Sequence, residues 1–507
     1  MNNYSDLNDS EEKNEDGRAL QLKFSIGYNS SMTNAVHNLT IDRNGKYTKE
    51  IFYPAAHTGV IYNYETGESK LLQGHCNQIT AVSTIYDAEN DKRLIVTADS
   101  GKNAAILIWD ADTGVVESSI FRKETDEVVS IEFSKNCYFI AFLAHQKNQK
   151  GEVILQKIYI YEWRPKEKCE QIYYTEFGCD DGEIYYDLKF NPNMENVMEF
   201  LVTSEHKIFF SVINPSENEN SRAYYPHPLD ENKIIDKKNT PQFTQSIFLS
   251  NNAKGNTAIT GTTAGYIIVW DVCEALCKED EVKTDRRKIK QVDLLGKYKK
   301  DKKSGYSDKD KINILVNYNE YIVIGSGGGT VNFYDYNFII VRWFENICWM
   351  VKSISFDMEK PKNQNKNMFL NQDTSNTQNF KCVPFITSDI SATVKRVYNK
   401  VENEITYGDE SLCYEEIYRG VESEITCIAV HPKINMIAIG TRGNSLKNNG
   451  KNFERRGDSI LKEKKFEYRA YVQLFYYPNH MKQIKREKNC DTYRSTIRRK
   501  QASIIPS

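Results

Sequence analysis

The sequence contains no run approaching the about 18 apolar residues that a membrane-spanning helix needs, so the reading assigns it no helical span and no membrane partner. Residues 1–20 lack the basic-then-apolar pattern of a secretory signal and carry Asp6, Asp9, Glu11, Glu12, Glu15 and Asp16 instead. The eleven cysteines lack paired spacing. Without a signal they read as reduced cytosolic thiols, and the sequons at Asn29 and Asn38 lose their meaning. Net charge is small: 67 basic residues minus 69 acidic ones leaves -2. That argues against a general nucleic-acid binder, which carries a basic domain. Helical periodicity is almost absent, which turns the reading away from helical folds.

Short apolar or alternating runs closed by Gly, Asp or Asn take its place. Examples are Arg93–Ala98 (RLIVTA), Ala104–Trp109 (AAILIW), Lys157–Tyr161 (KIYIY), Tyr266–Trp270 (YIIVW) and Tyr321–Gly325 (YIVIG). Strands of five or six residues joined by tight turns signal an all-β fold. The runs recur as a unit, clearest over Gly74–Asp110, with a second copy over Gln245–Asp271 and a third over Ile312–Asp335. Weaker copies cover 128–163, 184–213, 348–398 and 424–476, and a half-copy covers 51–67. A repeat of about 40–50 residues with four short strands denotes propeller blades. The expectation is a WD-repeat β-propeller over 33–400, seven-bladed, after a polar, partly disordered segment 1–32. A further blade unit at 401–480 begins a second propeller or serves as an eighth blade. Charged or polar stretches at 278–311, 359–381 and 442–467 read as long surface loops. Residues 481–507 form a basic tail expected to be disordered, with eight Lys/Arg against Glu487 and Asp491.

Gly74-His75 together with Trp109-Asp110 is the strongest motif. In a blade such a His reaches a hydroxyl and an acid while the Trp N–H closes the network, because buried polar groups must be satisfied. Thr97 and Asp99 are the expected middle members, with Asn103 competing for the acidic place. The same positions recur as Trp270 with Asp271, and as Tyr334 with Asp335. There Ala264 and Gly328 stand where an acid belongs, so those blades are expected to rest on strand packing alone. The role read for His75 is structural rather than catalytic.

Other candidates fail on spacing. GSGGGT at Gly325–Thr330 lies between two strand runs and reads as a hairpin turn, not a phosphate cradle. Asp87, Glu89 and Asp91 begin like a calcium loop but meet Lys92 and Ala98 where Gly and Glu belong. Asp180, Asp181 and Glu183 lack ligand spacing, and Cys273 with Cys277 lacks a second pair for zinc. No nucleophile–base–orienter set, metal site or cofactor fingerprint stands out, so the reading is not an enzyme.

GYNSSM (27–32), PAAHTGVIYNYETG (54–67), LLQGHCNQIT (71–80), VTADSG (96–101) with ILIWDADTGVVESSIF after it, KIYIYEW (157–163) and FTQSIF (243–248) followed by GYIIVWD resemble the cilia- and flagella-associated protein 251 family of WD-repeat proteins. The resemblance covers 22–345 well and 346–476 loosely. It implies a scaffold of the axoneme in motile cilia. Its partners would be other radial-spoke proteins, a calmodulin-containing complex at a spoke base, and doublet microtubules. Localisation would be the axoneme with a cytoplasmic pool. Family members extend further, with a second propeller and a calcium-binding region that this sequence does not display, so a short or truncated form is expected. The alternative from the repeats alone is a cytosolic adaptor in another assembly, such as a ligase substrate receptor or an RNA-processing particle.

Overall fold

The computed structural model describes Leu22, Ser25 and, between 27 and 476, all residues except 214–221, 225–240, 250–256, 271–288, 294–309, 359–383, 399–413, 442–470 and stretches of at most four residues. The loops expected at 359–381 and 442–467, the tail 481–507, Asp271, Asp180, Asp181, Cys273 and Cys277 lie outside the described residues.

Every regular element described is a β-strand. Seven four-stranded antiparallel sheets follow one another along the chain as the blades of a β-propeller. Blade 2 shows the pattern: Ile79–Asp87, Lys92–Asp99, Ala104–Asp110 and Val116–Arg122, paired in that order. The third strand of that blade is buried at each of its seven positions, whereas the fourth is mostly exposed. Middle strands lie between two neighbouring blades, so they read as continuous apolar runs. Each fully buried Ile, Leu or Val in them contributes about 1.5–3 kcal/mol.

Seven apolar clusters fill the structure, and each joins two blades. One packs blade 2 on blade 3 through Ile106, Ile131 and Phe142. Another packs Tyr28, Ile51 and Tyr53 at the start of the chain on Ile386, Val394 and Tyr418 of blade 7. An open row of seven blades has six interfaces, so a seventh cluster means a closed ring. All-β architecture and seven blades agree with the sequence reading.

Blade 1 is built from His37–Asn38, Glu50–Ala55, Thr58–Asn63 and Ser69–Gln73, with the hairpin Ile41–Arg43 and Lys46–Thr48 inserted after its first strand. It meets blade 7, whose strands are Val351–Phe356, Phe385–Asp389, Thr393–Val397 and Tyr414–Arg419. No described strand is exchanged between the two. Closure rests on packing and on bonds such as Asn34 N–H to the Lys352 carbonyl (2.8 Å), Asn38 N–H to Ser355 Oγ (2.9 Å) and Gly27 N–H to Tyr418 Oη (2.7 Å).

Three expectations need correction. The charged stretch 278–311 is not all loop: Ile289–Asp293 pairs with Tyr266–Trp270 as the outer strand of blade 5. The boundary at 400 cuts blade 7, because Tyr414–Arg419 is its outer strand, paired with Thr393–Val397. The segment 1–32, expected to be polar and partly disordered, joins the ring at its end, since Tyr28 is buried against blades 1 and 7. Beyond blade 7, Ile425–Val430, Met436–Thr441 and Tyr471–Tyr476 form a separate three-stranded sheet.

Candidate functional site: the polar network of blade 2 and its partial copies

Strand register places the network. Trp109 pairs directly with Ile95, and Thr97 lies two residues further along the second strand, facing the indole. Trp109 Nε1–H donates to Thr97 Oγ1 at 2.8 Å, and His75 Nε2 lies 2.7 Å from the same oxygen. The Thr97 hydroxyl is then free to donate to Nε2, which leaves the ring proton on Nδ1. That atom sits 3.1 Å from Asp99 Oδ2, within ion-pair range but off hydrogen-bond alignment. Asp99 Oδ1 accepts the Ala105 N–H at 2.7 Å, tying the carboxylate to the third strand. The His75 side chain has no exposed surface, so no substrate can reach it.

Asp99 therefore holds the acidic place, and Asn103 sits in the adjoining turn with φ of 64°. Gly74 is glycine because of a close approach: a Cβ there would meet Leu107 Cδ1 at 2.8 Å and Trp109 Cη2 at 3.0 Å. Asp110 works elsewhere, its Oδ1 accepting the Asp112 N–H at 2.8 Å and capping the hairpin turn.

Blade 5 keeps half of this arrangement. Trp270 Nε1–H donates to Thr260 Oγ1 at 2.7 Å. In place of a histidine, Thr260 meets Ser246 Oγ at 2.7 Å, and Ser246 accepts from Thr203 Oγ1 of blade 4 at 2.7 Å. Packing alone does not hold this blade; a row of hydroxyls crosses into the next one. In blade 6 the position corresponding to Thr97 is Ile324, by the pairing of Tyr334 with Ile322. Tyr334 instead lies 3.5 Å from Asn332 Nδ2, and Asp335 Oδ1 caps its turn by accepting the Asn337 and Ile339 N–H groups.

The sequence reading missed Arg93. It is buried and donates to Glu50, Asp112 and the Leu39 carbonyl, locking the blade 1 hairpin onto blade 2. Burial opposes ionisation of Asp112, but Arg93 and Arg43 outweigh it and hold the carboxyl below the usual carboxylate range. Only its position inside an apolar strand marks Arg93; nothing in sequence identifies its partners.

Asp87 pairs with Arg164 and accepts the Glu89 and Asn90 N–H groups. Gly329 lies in the GSGGGT turn with φ of 82°. A cavity of about 210 Å³ is lined by Thr84, Glu132, Lys135 and Phe190 among others. Burial raises the pKa of its Glu132, against the pull of the paired Lys189. Among the described residues no cluster of His, Cys, Asp and Glu suits a metal ion. The described cysteines are free, and burial pushes the Cys137 and Cys348 thiols up to about 12, away from reactivity.

Closed blades tied by buried polar links define a seven-bladed β-propeller. A family described as the CFAP251 N-terminal domain matches residues 20–402, and the chain belongs to that family. Cilia- and flagella-associated protein 251 of Tetrahymena thermophila is 34% identical over 83% of this chain and 40% of its own length. The Chlamydomonas reinhardtii protein of that name is 24% identical over 82% of this chain and 48% of its own, and the Mus musculus protein 26% identical over 85% and 30%. The chain thus spans less than half the length of these relatives.

Proposed function

We propose that the chain is a non-catalytic WD-repeat scaffold of motile cilia or flagella that helps hold a radial-spoke base to doublet microtubules. Membership of the cilia- and flagella-associated protein 251 family carries this reading. The site supports it. A His75–Thr97–Trp109 network with no exposed imidazole spends its chemistry on rigidity, and a rigid disc suits docking of several partners. Partners on this reading are other axonemal proteins, including a calmodulin-containing spoke complex, and the location is the axoneme with a cytoplasmic pool.

The test is fractionation. Cilia are stripped with detergent and extracted with salt, and the chain is followed by mass spectrometry. Retention with radial-spoke proteins, and loss of spokes when the gene is deleted, is the expected result. A chain absent from cilia, or soluble on extraction with spokes intact in its absence, overturns the proposal.

A further inference from the structure

The first strand of every blade from 2 to 7 carries a register shift near its start, and such a bulge re-aims the side chain it inserts. Thr80, Tyr186 and Asn313 use that aim to bond a carbonyl of the next blade: Val128 at 2.6 Å, Phe243 at 2.8 Å and Val351 at 3.2 Å. In blade 7 the inserted residue is Lys352. Its ammonium reaches the Ser31 carbonyl at 3.4 Å, an acceptor without net charge. Burial lowers the pKa of Lys352, and the charge of Lys311, two residues before Asn313, lowers it further. Among the described residues no carboxylate pairs with either lysine.

Apolar groups stand at the same end of the disc. The Lys311 carbonyl accepts the Gly327 N–H at 2.8 Å, which ties it to the turn Gly327–Gly329. The backbone of Trp349 lies against that turn, since a Cβ on Gly329 would come 3.4 Å from the Trp349 carbonyl carbon. Trp349 is 68% exposed. Its N–H faces Asp389 at 3.5 Å, and the next residue, Ile390, is 46% exposed. Asp389 is itself buried, its Oδ1 accepting the Ser391 and Thr393 N–H groups. Two ammonium groups without a counter-charge call for an anion, and an exposed indole beside an isoleucine calls for apolar cover.

We propose that this face, Lys311 and Lys352 beside Trp349 and Ile390, docks a segment of a partner protein in which acidic residues adjoin a large apolar one. Charge selects this occupant over a second copy. A two-fold contact uses one patch twice, so it would gather four lysines. Nucleic acid is held by neutralising several phosphates, and two lysines on a partly apolar face offer little for that. The proposal stands apart from the ciliary reading, and its failure leaves that reading untouched.

The probe is a labelled peptide, glycine–glutamate–glutamate–leucine–glycine, capped at both ends. Its binding to the full chain is read by fluorescence anisotropy. Saturable binding is expected, weaker by at least about tenfold when glutamines replace the glutamates, or when Lys311→Gln and Lys352→Gln are combined. Trp349→Ala should weaken it at least about fivefold. The substitutions should leave the unfolding midpoint in place, because the lysines repel each other and the indole is mostly in solvent. No saturable binding, equal binding of the glutamine peptide, or binding untouched by the three substitutions overturns the proposal. So does a dimer of the natural chain that Trp349→Asp dissolves, which would assign the face to a second copy. Displacement of the peptide by an oligonucleotide at lower concentration would assign it to nucleic acid and equally overturn the proposal. Binding that appears only after residues 1–20 are deleted would do the same, assigning the face to the chain's own acidic residues between Asp6 and Asp16.

Discussion

Thr97 accepts from Trp109 and faces His75, so removing its hydroxyl strands two buried nitrogens at once. Thr97→Val should cost about 2–4 kcal/mol, whereas Trp109→Phe, which removes one donor and leaves the other pair intact, should cost about 1–2 kcal/mol. Urea unfolding of the two variants checks the order; equal costs would deny Thr97 its double role. His37 belongs to the same scale. It is packed beside Thr84 in the first strand of blade 1, and burial lowers its pKa to about 4, with Lys189 adding to the effect. The unfolded chain binds the proton near the ordinary value of 6.5. Stability is then full above about 6.5, falls as pH drops toward 4, and levels below, by roughly 1–3 kcal/mol. His37→Gln should remove that slope from unfolding midpoints measured across this range. The His75 motif was readable because its members lie within one repeat. Ser246 and Thr203 were not, because neighbouring blades bring together hydroxyls 43 residues apart with no spacing to betray them.

Elements differ in how clearly they write themselves into sequence. Middle strands buried on both faces are apolar throughout and were legible, Ala104–Asp110 above all. Outer strands are solvated along one edge and mix charge with apolar residues. Ile289–Asp293, with Lys290 and Asp293, was therefore lost in its charged surroundings, and Tyr414–Arg419 was assigned to the wrong unit. Turns between second and third strands offer a controlled comparison. Gly151 and Gly329 share a left-handed backbone, with φ of 83° and 82°. A Cβ on Gly151 meets nothing within 4 Å, while one on Gly329 would lie 1.9 Å from the Cys348 carbonyl oxygen. Gly151→Ala should cost about 1–2 kcal/mol, from backbone strain alone. Gly329→Ala should add about 1–3 kcal/mol of overpacking and disturb the connection into blade 7. Thermal unfolding of the pair separates the two costs; equal shifts would mean the connection yields freely.

At the scale of the whole molecule, the ring is expected to open at the seam between blades 1 and 7, where the two ends of the propeller meet without an exchanged strand among the described residues. Tyr418 anchors it, its hydroxyl accepting from Gly27 and its ring 4.8 Å from that of Tyr53. Burial pushes its phenol up to about 12, so it stays neutral at physiological pH. Tyr418→Ala should cost about 3–5 kcal/mol. Amide exchange should quicken first in blades 1 and 7, with blades 3 and 4 keeping their protection. Uniform quickening would mean the ring opens as one unit. The sequence foretold a ring of seven but not how it shuts, because the contacts are ordinary tyrosines and asparagines with no motif. The bond from Gly27 to Tyr418 also spans 391 residues. At a ribosomal rate of about 5–20 residues per second, the first blade emerges roughly 20–80 s before the strand that seals it. For that interval the nascent chain shows an apolar flank with its mate unmade, so it is during synthesis that a chaperone matters most to this protein.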